Sequence, residues 1–88
     1  MKLNADPKDQ RGLAFFLTEF NLSLAWKNAA LVRASERLGK VWSDERFREF
    51  DKKLADATLL IREFEARSKR FADYLNAKAF AGEKYLRR

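Results

Sequence analysis

The chain contains no cysteine and no histidine, a single proline and three scattered glycines. Without cysteine, no disulfide can staple the fold. Without cysteine and histidine, a zinc site would need four carboxylates, which is not the ligand set zinc takes. The same absences remove the usual nucleophile–base pairs, and Ser23, Ser35, Ser43 and Ser68 sit in no glycine-rich elbow. Gly12, Gly39 and Gly82 are too far apart for a phosphate loop or a dinucleotide fingerprint. Carboxylates are present, but a general acid needs a concave site that shifts its pKa. Neither an enzyme, a cofactor nor a metal is therefore expected.

Long apolar runs are missing as well. Nothing approaches the ~20 residues of a membrane span. Met1 to Pro7 holds no apolar core of signal-peptide length. A cytoplasmic location is expected, and export, where it occurs, by a route that reads no classical signal. The chain has 88 residues, enough for one small domain (1–88) with a modest core. Such a domain usually needs a disulfide, a metal or a partner. The first two are excluded, so a partner is expected.

What is there fits long helices: 47% hydrophobic and 36% charged residues. Asp6-Pro7 reads as a helix start, with Asp6 capping and Pro7 at the first helical position. Leu17, Leu24, Leu31 and Leu38 recur every seventh residue. Leu13, Phe20, Ala34 and Val41 fill the complementary position, with Lys27 the exception. Helix one is expected over about 7–38, ended by Gly39 as a C-cap. The turn, about 39–43, includes Trp42 and Ser43. Ser43 is expected to cap helix two, and Trp42 to staple against Phe47.

Helix two, about 44–84, shows Phe47, Phe50, Leu54, Ala57, Ile61, Phe64, Ser68, Phe71 and Leu75 at alternating spacings of three and four. The short turn makes the helices antiparallel neighbours. The expected fold is an all-α antiparallel hairpin of two long helices. Helix one carries a second apolar side: Phe15, Leu22, Trp26 and Ala29 lie roughly opposite the leucine stripe, with Phe16 on the flank. Burying Phe15, Leu22 and Trp26 is worth roughly 1.5–3 kcal/mol each. Helix two covers only one side, so Phe15, Phe16, Leu22, Trp26 and Ala29 form the expected partner interface. Two hairpins dimerising into a four-helix bundle is the simplest cover.

Trp42-Ser43-Asp44 at the turn, a chain near one hundred residues and the phenylalanine-rich second helix resemble the WXG100 (ESAT-6-like) helical hairpins. The resemblance spans nearly the whole chain in architecture and one tryptophan in motif. It implies homodimers, or heterodimers with a related hairpin or a toxin or effector, in specialised (type VII-like) secretion or toxin systems. Two departures stand out. Asp44 replaces the glycine of the motif. No Tyr-X-X-X-Asp/Glu export signal follows Tyr74 or Tyr85: Lys78 stands four after Tyr74, and only Leu86-Arg87-Arg88 follows Tyr85.

The net charge of +6 raises nucleic acid as an alternative partner. Asp44–Arg48, Glu49–Lys53, Glu63–Arg67 and Glu65–Lys69 have the spacing of helix-surface ion pairs and are expected to match much of it. Arg62, Arg67, Lys69 and Arg70, with Lys78, Phe80 and Tyr85 beyond, form the candidate polyanion contact.

Overall fold

The computed structural model describes residues 6–86, as two α-helices joined by a short turn, α1 (Pro7–Gly39) and α2 (Glu45–Leu86). They pack side by side as a hairpin 66 × 22 × 16 Å in extent. The all-α hairpin expected from the sequence is the observed fold, with helix ends within two residues of those read from the spacing.

Local chemistry sets the ends. Asp6 is extended (φ −65°, ψ 128°), and its Oδ1 accepts from the Lys8 amide at 2.8 Å. Pro7 follows, where its missing N–H costs nothing. At the other end α1 closes without a left-handed residue. Gly39 is still helical, Lys40 is right-handed, and the amides of Val41 and Trp42 both donate to the Leu38 carbonyl. Gly39 serves close packing instead of an αL cap: a Cβ there would stand 3.2 Å from the Phe47 ring.

The cap of α2 differs from expectation. Asp44 holds it, not Ser43. The Phe47 amide donates to Asp44 Oδ1 at 2.8 Å and the Arg48 amide to the Asp44 carbonyl at 3.0 Å. The Ser43 hydroxyl only accepts a long bond from Arg48 Nη1. Phe47 lies over Gly39, and Trp42 is 57% exposed.

The larger correction concerns which side chains meet between the helices. On α2 the covered positions are Phe47, Leu54, Ile61, Ser68, Leu75 and Gly82, as the spacing implies, but their companions are Thr58, Glu65, Ala72 and Ala79. The expected companions Phe50, Ala57, Phe64 and Phe71 stand one residue earlier and remain exposed. One residue is a rotation of about 100° on a helix. On α1 the centre of the seam is Pro7, Ala14, Asn21, Asn28 and Ser35, again every seventh residue, with Leu17 and Leu24 on one flank and Ala25 and Val32 on the other. Leu13, Phe20, Leu31, Ala34, Leu38 and Val41 are exposed.

The seam is therefore small and polar. Asn21 Nδ2 donates to Ser68 Oγ (2.7 Å), Thr58 Oγ1 to Asn28 Oδ1 (3.3 Å), and Ser35 Oγ to Asp51 Oδ1 (2.9 Å). The physical reason is close approach: alanine, serine and glycine let two helices meet, and polar groups then pair across the gap, with the buried Asn21 Oδ1 left unpaired among the described residues. The apolar part of the core is Ala14, Leu54, Ala72, Leu75 and Ala79. At the open end Pro7 rests on Gly82, where a Cβ would come within 2.9 Å of the proline ring.

The reassigned cap gives a direct test. Asp44→Ala should cost about 1 kcal/mol and Ser43→Ala less than about 0.5 kcal/mol. Urea unfolding followed by circular dichroism measures both, and equal losses would return the cap to Ser43.

Candidate interaction surfaces

None of the eight phenylalanines is buried, and Phe47 is the most covered of them. Both tryptophans are exposed. The chain exposes 7760 Å², whereas a compact monomer of 10.3 kDa exposes about 5,400 Å². The elongated shape explains the surplus, and the side chains on it are organised.

One long face is built by both helices together. Phe20 and Phe64 meet across the hairpin, ring centroids 6.1 Å apart at 77°. This contact places the α1 column Leu13–Phe20 beside the α2 column Phe50–Phe64–Phe71. Leu31 and Leu38 continue it toward the turn. All seven are 45–49% exposed. Phe71 stacks on Tyr74 at 6.1 Å, and Lys78 Nζ lies 5.6 Å from the Tyr74 ring, closing the face at its open end. Sequence reasoning had these residues in the hairpin's own seam. The structural observation that makes them a separate face is the bonding of Asn21, Asn28 and Ser35 across the hairpin.

The other long face is marked by the ion pair of Arg11 with Glu83, at 2.6 and 2.8 Å. Hydrogen bonding to the Glu83 carboxylate pushes the Arg11 pKa further up, outweighing its slight desolvation. Phe15 follows Arg11 by one turn and Leu22 follows Phe15 by two, so the stripe Phe15–Leu22–Trp26 lies along this side of α1. Lys69 and Arg62 precede Glu83 by multiples of seven and lie along the same side of α2. Phe15, Leu22 and Trp26 are 65–69% exposed, and Ala29 is half-covered. Phe16 is as exposed as Phe15 but neighbours Leu13 and Phe20, three and four residues away, so it borders the two-helix face. Trp42, Ser43 and Asp44 are exposed at the turn.

The four candidate polyanion residues do not converge. Arg62 and Lys69 share one side of α2, Arg67 lies nearly opposite Lys69, and Arg70 points away from the hairpin axis, all four exposed. Among the described residues Arg11–Glu83 is the one pair within 4 Å. Asp44–Arg48, Glu49–Lys53, Glu63–Arg67 and Glu65–Lys69 stay apart, as exposed side chains in high dielectric gain little by closing. Among the described residues no group of carboxylates could hold a metal ion, and no helix is long and apolar enough to cross a membrane.

No known protein family, curated protein or solved structure matches the chain.

The divergence of the basic residues bears on nucleic-acid binding. Binding of short single-stranded DNA through Arg62 and Lys69 alone gives a salt slope of about −1.4, against about −2.8 for four simultaneous phosphate contacts. Fluorescence anisotropy against salt concentration separates them, and a slope near the larger value would restore the single patch.

Proposed function

We propose that this protein is a non-enzymatic interaction module that functions as a pair of hairpins packed into a four-helix bundle. The observation that carries this reading is the two-helix face of Leu13, Phe20, Leu31, Leu38, Phe50, Phe64 and Phe71. Seven large side chains, each about half exposed, have the character of a core cut in half. Monomers seldom expose an apolar area of that size. The seam inside the hairpin is too small and polar to replace it, so association and folding are coupled.

The second hairpin is a copy of this chain or a related helical partner, and the two-helix face accepts either by the same ridge-and-groove packing. The narrower placement belongs to the same proposal: a WXG100-like partner, adaptor or chaperone in specialised secretion or a toxin system. It is supported by the tryptophan at the turn between two long helices. Asp44, where that family has glycine, here does the work of capping α2.

Sedimentation velocity at 5–50 µM (roughly the range in which dimers with micromolar Kd form) tests the reading. The wild-type chain should sediment as a dimer or larger. Phe20→Asp with Phe64→Asp should dissociate it and lower helicity by circular dichroism at the same concentration. A folded, fully helical wild-type monomer, unchanged by that double substitution, would overturn the proposal.

A further inference from the structure

A bundle closed through the leucine–phenylalanine face leaves two apolar patches uncovered, and the two complement each other. The first lies on the Arg11–Glu83 side. The helices are antiparallel, so the hydrogen bond of Asn21 to Ser68 puts Lys69 about level with Phe20, just before Leu22. The bond of Thr58 to Asn28 sets Trp26 near the level of Arg62. Arg62 and Lys69, seven residues apart, therefore lie beside Leu22 and Trp26 across the hairpin, and neither cation has an ion pair among the described residues. The acids nearest this socket are Glu19 on α1 and Glu65 and Asp73 on α2, each outside ion-pair distance of the two cations.

The second patch is on the outer side of α2, away from α1. Leu59 and Leu60 are 60% and 66% exposed, the most open leucines of the helix before its last turn. Asp56 and Glu63, seven residues apart, bracket them. Both are exposed, and neither is ion-paired among the described residues. Between Asp56 and Glu63 the one cation is Arg62, which belongs to the socket side; Lys52, Lys53 and Arg67 flank the patch from beyond its ends.

Socket and knob thus each carry two like charges about 10 Å apart along α2, at 1.5 Å per residue, of opposite sign; the knob's leucines lie between its acids, and the socket's Leu22 and Trp26 lie beside its cations on α1. We propose that the Asp56–Leu59–Leu60–Glu63 knob of one chain docks on the Leu22–Trp26–Arg62–Lys69 socket of a second copy. This contact joins unlike surfaces, so it carries the bundle on to larger assemblies. It rests on the interaction-module reading above. Charge complementarity sets its pairing, and Trp26 with the two leucines supplies the buried area.

Charge reversal tests it on the full chain, by sedimentation velocity at about 50 mM and 500 mM NaCl, where screening differs strongly. The wild type should form species beyond the dimer at low salt that shrink to the dimer at high salt. A socket variant (Arg62→Glu, Lys69→Glu) and a knob variant (Asp56→Lys, Glu63→Lys) should each stop at the dimer, with association weakened about tenfold or more. Mixing the two variants should restore the larger species, because each then meets a complementary surface. A wild type that remains a dimer at both salt concentrations overturns this inference and leaves the bundle intact. Variants that assemble like the wild type, or a mixture that does not recover, overturn it as well. A monomeric, folded wild type removes the bundle itself, so the two failures are told apart.

Discussion

The contact between α1 and α2 is a ladder of small and polar side chains, and the remaining surfaces follow from it. Asn21, Asn28 and Ser35 stand at one heptad position of α1 and reach Ser68, Thr58 and Asp51 of α2. A seam of this kind fixes register well. Slipping one helix by a residue would break every rung, and a buried amide without its partner costs more than the bond itself contributes. The seam contributes little hydrophobic burial in return. Three of its five buried apolar residues are alanines, and an alanine side chain removes little area from water.

A hairpin held this way specifies how its helices align but hides few of its large side chains. The phenylalanine columns lean to one side, where Phe20 and Phe64 touch edge to face and leave the rest of each ring open. Polar pairing inside the hairpin and exposed aromatic rings outside it fall on separate columns of the same helices.

The charges follow a related logic. Arg11 and Glu83 close the open end with two short hydrogen bonds. Other exposed acids and bases at helix-pair spacing leave their neighbours unpaired. Unpaired surface ions in columns are available to an outside surface. The basic column Arg62–Lys69 beside Leu22 and Trp26, and the acidic bracket Asp56–Glu63 around Leu59 and Leu60, are two such columns on one chain.

One feature was legible from the amino-acid order alone: the helical hairpin. Apolar spacing of three and four, Asp6-Pro7 and the single short turn determine two long antiparallel helices. The lack of cysteine and the surplus of apolar residues raise the expectation of a partner, which the proposed bundle takes up. Periodicity could not choose between adjacent columns of one helix. Phe50–Phe64–Phe71 and Thr58–Glu65–Ala72–Ala79 repeat at the same interval, about 100° apart. Apolar weight alone favours the first, but close approach and hydrogen bonding across the gap favour the second. The packed pair of helices decided for the second. It thereby turned the phenylalanines into an outward face. That outcome depends on where the neighbouring helix lies, and spacing along a single helix carries no information about that direction; the Asp44 cap is local.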